Sequence, residues 1–304
     1  MIAEIRVPGS TSNLGPGFDC FGLALNLYLT VRAQAAPGAT ESCRVTTTGA
    51  KENEVLPRNN ANLIYRAMAF AARREGLSLP PVELEVHNEI PLASGLGSSA
   101  AAIVAGIWLS ALLTGQELAD QTMLNYATEF EGHPDNVAAS LCGGFVISCV
   151  RNDRTVTAAK FEWPAQVRVL VVSPHSQLPT HVARAALPRM VTRATAVHNL
   201  QRTALFTAAL AQQKYELLWE AMCDQLHQPQ RESLVPGLAE ALALPRMEGL
   251  LGVALSGAGP SILALITDHA DEIGARLANC FREHKIESTI RTLEVDNDGV
   301  RLLQ

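Results

Sequence analysis

The segment of this sequence best suited to chemistry is a glycine-rich turn at residues 91–101. Gly95 and Gly97 free the backbone there, and the hydroxyls of Ser98 and Ser99 follow where an apolar helix is predicted to begin. Such a turn directs several unpaired N–H groups at one point, and the helix dipole adds about half a positive charge. The turn can therefore bind a polyphosphate through main-chain amides alone.

This turn differs from two familiar nucleotide-binding fingerprints. The patterns GxxxxGK[ST] and GxGxxG are both absent, which argues against a P-loop and a Rossmann site. None of the four lysines is nearby; they are Lys51, Lys160, Lys214 and Lys285. The alternative is a flexible turn before a packed helix, but the paired serines favour phosphate binding. The candidate residues are Pro91, Leu92, Ala93, Ser94, Gly95, Leu96, Gly97, Ser98, Ser99, Ala100 and Ala101.

A second group of candidates lies at residues 128–136, where carboxylates end one predicted helix and Asp135 and Asn136 begin another. Carboxylate oxygens suit Mg²⁺, and an Asp-Asn pair can hold an acceptor hydroxyl. Glu129 and Glu131 are two positions apart on a helix, so only one of them can face a shared site. The alternative is structural, because Asp is a good helix N-cap and Glu at a helix end is usually solvated.

A third candidate is the turn at residues 255–261, which contains Gly257 and Gly259 between two apolar strands. A tight hairpin that needs positive φ angles is one interpretation. The other is a loop whose small side chains let the backbone close over nucleotide phosphates.

The elements that must position these turns follow a mixed order rather than a βαβ alternation. Strands are predicted at residues 3–8, 22–33, 82–90, 145–150, 155–161, 167–173, 252–256, 262–266 and 288–293. Helices are predicted at 62–75, 98–113, 118–131, from 135, over most of 180–243, and at 271–283. The nearly continuous apolar run at 167–173 indicates a central strand. The pattern predicts an α+β protein with two domains, residues 1–153 and 154–304, divided at a polar turn.

Composition and charge narrow the class of protein. With 24 basic and 30 acidic residues, the net charge of −6 offers no electrostatic footprint for nucleic acid or an anionic membrane. The longest apolar run, at 100–113, is too short to span a bilayer, and the first residues lack a signal-peptide pattern. The six cysteines include no CxxC pair, so we expect reduced thiols and a cytoplasmic protein.

Three more segments accompany these turns: 8–19 (PGSTSNLGPGFD), 179–184 (PTHVAR) and 227–231 (HQPQR). Together with the glycine turn and the GHPDN run at 132–136, they resemble signatures of the galactokinase, homoserine kinase, mevalonate kinase and phosphomevalonate kinase superfamily. Within it, the chain is most similar to the homoserine kinases over nearly its whole length. The resemblance implies an N-terminal domain like ribosomal protein S5 domain 2, a ferredoxin-like C-terminal domain, and an active site between them.

The resemblance also implies a reaction, the transfer of the ATP γ-phosphoryl group to the side-chain hydroxyl of L-homoserine in threonine biosynthesis. The turn at 91–101 would bind the triphosphate, and Gly257 and Gly259 would close over it. Mg²⁺ would bind to Ser98 and Glu129, with Glu131 as the alternative ligand. Phosphoryl transfer has a loose transition state, so positioning and charge neutralisation carry most of the catalysis without a strong base.

The same resemblance assigns residues to the amino acid. Its ammonium would pair with Asp19 beside Asn13, and its carboxylate would bind Arg184 and Arg231, because guanidinium groups suit bidentate contacts. Thr180 and Asn136 would position the reacting hydroxyl, with the phosphate as the proton acceptor and Asp135 as the alternative base. Contact of substrate with the motif histidines, His133, His181 and His227, stays open. A homodimer is also implied.

Two alternatives remain. One is another small-molecule kinase of the superfamily, acting on mevalonate, a diphosphocytidyl sugar alcohol or pantoate; the arginine pair with Asp19 favours a zwitterionic acceptor instead. The other is a nucleotide-binding regulatory module without catalysis. The presence of Ser98, Ser99, Glu129, Asp135 and Asn136 weighs against that module, since a protein without catalysis has no chemical need for them.

Overall fold

The computed structural model describes residues 2–49 and 55–303. Strands in these ranges are β1 (Ile2–Asn13), β2 (Gly17–Ala35), β3 (Cys43–Gly49), β4 (Val82–Asn88), β5 (Phe145–Val150), β6 (Val156–Phe161), β7 (Arg168–Pro174), β8 (Leu250–Leu255), β9 (Ile262–Ile266), β10 (Ser288–Leu293) and β11 (Arg301–Leu302). They form two sheets. The first has the order β11-β1-β2-β4-β3, with β5 paired to β2 and β6 to β5, and the second has the order β10-β7-β9-β8.

Helices in the same ranges are α1 (Leu63–Arg74), α2 (Ser98–Thr114), α3 (Asp120–Glu131), α4 (Asp135–Cys142), α5 (Thr180–Ala185), α6 (Arg193–Ala211), α7 (Leu218–Ala221), α8 (Gln228–Arg231), α9 (Leu238–Leu242) and α10 (Ala270–Glu283). Within the described part of the chain, none of these helices combines the length and apolar character needed to cross a membrane. The mixture of sheets and helices is the predicted α+β class.

Helices cover one face of the first sheet. Strand β4 shows the pattern, because Val82, Leu84 and Val86 are buried while the residues between them are exposed. Helix α2 is apolar on all sides because it is surrounded, packing against α1, α3, α4 and β1. This central helix holds the glycine turn at its N-terminus against the sheet.

The second sheet is buried on both faces. In β7, Val169 and Val171 belong to the core shared with the first sheet, while Leu170 and Val172 belong to a separate cluster that includes residues of α10. Two buried faces explain a strand that is apolar at consecutive positions. The predicted central position of this strand is confirmed, since β7 lies between β10 and β9.

The main differences from the predicted elements concern polar or short strands. Residues 9–13 continue β1, although Gly, Ser and Asn there are typical of a turn. Their polar side chains are buried with partners from distant segments; Thr11 Oγ1, for example, lies 2.8 Å from Ser256 Oγ. Strands β3 and β11 were not predicted, and both lie at edges of the first sheet. Tertiary pairing, which local patterns do not encode, stabilises these strands.

After β10, which belongs to the second sheet, the chain returns to the first sheet. The segment 294–302 pairs β11 with β1, and Gly144 N donates to Asp296 O at 2.7 Å. The buried carboxylate of Asp296 accepts hydrogen bonds from Tyr28 Oη and from the backbone N–H groups of Asp298 and Gly299. We call residues 294–302 the returning segment. Strand β6, which follows residue 153, also pairs within the first sheet, and a domain division at that residue stays a prediction.

Candidate active site

A cleft lies where the glycine turn, the start of β2, the start of α4, α5, α8 and the turn after β8 meet. Residues predicted for the site that line the cleft are Asn13, Asp19, Pro91, Ala93, Ser94, Gly95, Leu96, Gly97, Ser98, Ser99, Ala100, Asp135, Asn136, Thr180, Arg184, Arg231 and Gly257. Six distant stretches of sequence therefore converge on one opening.

The glycine turn is held in place from several sides. Ser256 Oγ donates to Gly95 O at 2.7 Å, Ser10 N to Leu96 O at 3.1 Å, and Ser261 N to Ser94 O at 3.2 Å. Gly95 and Gly97 have φ angles of +80° and +73°, and Ala93 has +50°, a left-handed conformation that is rare for alanine. The surrounding contacts stabilise this conformation, as is common in ligand-binding turns.

The first turn of α2 leaves its N–H groups available to a ligand. Gly97 is the N-cap and provides no side-chain acceptor, and the first turn contains no acidic residue. Unpaired N–H groups and the helix dipole together attract anions. This end of the 17-residue helix α2 opens into the cleft, as the sequence predicted for a phosphate site.

Replacing Gly95 with alanine tests whether this turn geometry matters. A Cβ at Gly95 would lie 2.2 Å from Ser256 O and 3.0 Å from Gly259 O, so backbone must move. We expect Gly95→Ala to lower kcat/KM for ATP about 100-fold, because displacement of a positioning group by about 1 Å has that effect.

The matched control is Gly115→Ala at the other end of α2. Gly115 has a similar φ of +70°, but a Cβ there meets nothing within 4 Å. This variant should lose only about 1–2 kcal/mol of stability from the left-handed conformation and keep its ATP kinetics. Steady-state kinetics with thermal unfolding of both variants separates the two effects, and equal ATP kinetics in both would contradict the assignment of the turn.

The residues that begin α4 form a tight polar cluster beneath the cleft. Asp135 Oδ1 lies 2.6 Å from His133 Nδ1 and accepts the Asn136 N–H at 2.7 Å. Burial opposes ionisation of Asp135, but the hydrogen bond and charge of His133 lower its pKa below the ordinary value. Burial likewise opposes protonation of His133, yet Asp135 raises its pKa. Each residue of the pair thus favours the charged form of the other.

The Asn136 amide is oriented from both ends by serines of β1. Its Nδ2 donates to Ser12 Oγ at 2.9 Å, and its Oδ1 accepts from Ser10 Oγ at 3.0 Å. Ser10 in turn accepts from Ser140 Oγ at 3.2 Å. These contacts hold the amide at the wall of the cleft in one orientation.

Glu131, rather than Glu129, reaches the cleft. Glu129 is exposed, does not line the cleft, and pairs with Arg74 at a distance of 3.2 Å. Glu131 lines the cleft, and its Oε2 accepts a hydrogen bond from Ser99 Oγ at 3.1 Å. Burial raises the pKa of Glu131, against the opposing effects of His133 and of the Ser99 hydrogen bond. Helical spacing contains the signal that distinguishes them, because Glu131 lies four and seven positions after the buried Ala127 and Leu124 of α3.

The loop between β1 and β2 brings an acidic group to the cleft. Asp19 has a φ of +54°, and its backbone N–H donates to Asn13 Oδ1 at 3.1 Å. The carboxylate forms a bidentate pair with Arg184, with distances of 2.5 and 3.1 Å. Burial opposes the charge of Arg184, but this pairing with Asp19 raises its pKa. The two predicted substrate-binding residues thus bind each other.

Arg231 is the largest side chain that is fully buried in the described ranges. Its Nε donates to Ala183 O at 3.3 Å, and its Nη1 to Gly257 O at 3.0 Å and to His227 Nδ1. Within the described residues, its Nη2 has no hydrogen-bond partner and no carboxylate forms an ion pair with it. Burial lowers the pKa of Arg231 to about 10, and the like charge of Arg184 adds to this effect. A cation buried without a counter-ion is a strong site for an anion.

Four predicted residues do not line this cleft. Leu92 borders a neighbouring groove, Ala101 is buried within α2, Glu129 is exposed elsewhere, and Gly259 supports Gly95 from behind. Four others line it without having been assigned a role: Ser12, Phe18, His133 and Ala258. All four lie inside the motifs. The Phe18 ring contacts both guanidinium groups, with centroid distances of 5.5 Å to Arg184 and 5.7 Å to Arg231.

Comparison with known proteins gives consistent matches. The model described as "GHMP kinases N terminal domain" matches residues 62–144, and "GHMP kinases C terminal" matches 206–283. The homoserine kinase of Desulfitobacterium hafniense is 39% identical over 99% of this chain and 100% of its own length. That of Deinococcus radiodurans is 45% identical, covering 85% of this chain and 82% of the relative. The crystal structure of homoserine kinase from Cytophaga hutchinsonii superposes with a TM-score of 0.86 at 29% identity, covering 99% and 97% of the two chains.

Proposed function

Because the chain belongs to the homoserine kinases of the GHMP kinase family, we propose that its cleft transfers the γ-phosphoryl group of ATP to the hydroxyl of L-homoserine. The product is O-phospho-L-homoserine, which places the enzyme in threonine biosynthesis. One observation supports this function most directly. The cleft combines unpaired amides of the α2 N-terminus with both an acidic group, Asp19, and two guanidinium groups, which suits a polyphosphate beside a zwitterion.

The first turn of α2 and the glycine turn bind the triphosphate of ATP. The main-chain N–H groups supply hydrogen bonds and partial positive charge in place of a lysine. Gly257 lies against this turn, since a Cβ there would be 3.3 Å from Gly95 O, and its small size lets the chain approach the nucleotide. We retain Gly259 as a supporting residue for this approach, since it packs behind Gly95.

The residues beside this end of α2 fit Mg²⁺. Glu131 offers a largely buried carboxylate, the Ser99 hydroxyl lies 3.1 Å from it, and the Ser98 hydroxyl makes no hydrogen bond within the described residues. Hard oxygen ligands of this kind, together with substrate phosphates, are what Mg²⁺ prefers. Glu131 with Ser98 or Ser99 would hold the ion, and the ion would neutralise charge on the β- and γ-phosphates.

The charged groups on the other side of the cleft hold the amino acid. Arg231 directs its free Nη2 at the carboxylate, and Asp19 pairs with the ammonium beside Asn13. Arg184 pairs with Asp19. Homoserine exchanges this internal ion pair for two intermolecular ones, because its ammonium binds Asp19 and its carboxylate binds Arg184 as well as Arg231, so neither charge is left unpaired.

Residues at the start of α4 and α5 position the reacting hydroxyl. Asn136 and Thr180 line the cleft between the two binding regions. The hydroxyl oxygen forms a bond to the γ-phosphorus, the bond from that phosphorus to the bridging oxygen of ADP breaks, and the hydroxyl proton passes to a phosphoryl oxygen. Asp135 is a weak base because His133 lowers its pKa, so its role is to fix His133 and Asn136.

The direct test is ADP release by purified protein with Mg²⁺ and ATP. We expect rapid release with L-homoserine and release at least about 100-fold slower with mevalonate, which lacks an ammonium for Asp19, because a site built for a polar group strongly rejects a ligand without it. L-Serine, whose hydroxyl is one carbon closer to the charges, should also react slowly. No ADP above background with homoserine would refute the function.

Two properties stay predictions beyond this activity. The first is a homodimer, which sedimentation of the purified protein tests. The second is a cytoplasmic location, which microscopy of a tagged chain tests.

A further inference from the structure

We propose that His227 is a positioning residue that fixes the orientation of the Arg231 guanidinium toward the substrate carboxylate. This inference rests on the proposed role of Arg231 in homoserine binding. His227 itself does not line the cleft and so does not touch substrate. It acts on the residue that does.

The two ring nitrogens of His227 have different and unambiguous partners. Nε2 lies 2.8 Å from Gly15 O, a carbonyl that can only accept, so Nε2 carries the proton. Nδ1 lies 3.1 Å from Arg231 Nη1, and a guanidinium can only donate, so Nδ1 accepts. These contacts require a neutral imidazole that carries its proton on Nε2.

The surroundings of His227 preserve that neutral state. The side chain is completely buried, and burial lowers its pKa below the ordinary value, against the opposing effect of Asp224. Asp224 also fixes the backbone of the segment, because its carboxylate accepts the N–H groups of Leu226, His227 and Gln228. The imidazole is therefore a rigid hydrogen-bond acceptor in a preformed loop.

The hydrogen bonds of Arg231 show what this acceptor does. Nη1 divides its two protons between His227 Nδ1 and Gly257 O, and Nε donates to Ala183 O. Three protons are thus held by fixed acceptors, and the remaining two, on Nη2, have no acceptor within the described residues, while Arg231 lines the cleft. Without the Nδ1 acceptor, one Nη1 proton would be buried and unpaired, which favours rotation of the guanidinium away from this orientation.

The geometry of side-chain amides offers a test that separates the two contacts of His227. In Asn, Oδ1 has the same bond separation from Cβ as imidazole Nδ1, so His227→Asn can keep the acceptor for Arg231. In Gln, Nε2 matches imidazole Nε2, so His227→Gln can keep the donor to Gly15 O and lose the acceptor. We expect His227→Gln to raise KM for homoserine about tenfold and His227→Asn to raise it much less, since one buried hydrogen bond contributes about 1–1.5 kcal/mol.

KM for ATP should stay close to the parent value in both variants, because neither hydrogen bond of His227 is made to the phosphate turn. The control is His269→Asn, which removes an exposed histidine at the N-cap of α10, outside the motifs, and should change neither KM. Thermal unfolding of all variants checks folding. A larger homoserine KM for His227→Asn than for His227→Gln, or equal changes in both substrates, would overturn the proposal and leave only a structural contact with Gly15.

Arg231→Lys distinguishes this inference from the function on which it rests. If Arg231→Lys raises the homoserine KM but neither His227 variant does, the positioning role is refuted and the binding role of Arg231 stands. If Arg231→Lys has no effect either, the assignment of Arg231 fails, and with it the proposal for His227.

Discussion

Glu131→Gln should lower kcat/KM at least about 100-fold at limiting Mg²⁺, since loss of a group that supports a bound metal commonly costs 10–100-fold and loss of a ligand more. The substitution keeps the volume of the side chain and an oxygen that can accept from Ser99 Oγ. It removes only the negative charge. Titration of activity with Mg²⁺ measures the effect, and raised Mg²⁺ should restore part of the rate.

Glu129→Gln is the matched control for this experiment. Glu129 lies two residues away on the same helix, but its carboxylate is exposed and pairs with Arg74. This variant should keep parent kinetics at every Mg²⁺ concentration. The reverse result, a loss of activity in Glu129→Gln and none in Glu131→Gln, would instead identify Glu129, the ligand expected from the sequence, as the metal ligand. Ser98→Ala and Ser99→Ala then identify which hydroxyl assists.

Arg231→Lys should raise KM for homoserine about 100-fold, because truncating a buried charge contact typically costs 2–5 kcal/mol. Lysine keeps the charge but cannot donate at the same time to Ala183 O, Gly257 O and a carboxylate, as the fork of Arg231 is placed to do. KM for ATP should change little. Initial rates with each substrate varied in turn give the two constants.

The control for this second experiment is Arg202→Lys. Arg202 is also partly buried, but it pairs with Glu220 outside the cleft, so its replacement should leave both constants unchanged. Unchanged homoserine KM in Arg231→Lys would mean that the carboxylate binds elsewhere.

Local patterns in the sequence were sufficient to locate the glycine turn and the helix that follows it. The glycines, the paired serines and the apolar helix after them are contiguous, and α2 begins at Ser98 as predicted. The same holds for α1, where Asn62 Oδ1 accepts from Ile64 N as an N-cap. Interactions between near neighbours determine these features, so one stretch of sequence contains the information.

Features that depend on distant partners were harder to predict. The pairing of Asp19 with Arg184 joins residues 165 positions apart, and the polar strand at 9–13 is stabilised by Ser256 and Asn136. The role of His227 required knowledge of its tautomer, which its two partners determine. Sequence spacing contains none of these long-range facts.

The returning segment has a consequence for biosynthesis on the ribosome. Strand β1 emerges first, but its partner β11 follows some 290 residues later, about 15 to 60 s at ordinary rates of translation. During that interval the nascent chain exposes an open strand edge at Ile5 and Arg6, and the loop at Gly144 lacks its acceptor. Unpaired strand edges are prone to association with other chains. Synthesis of this enzyme should therefore depend on chaperones that cover the edge until the last strand is released.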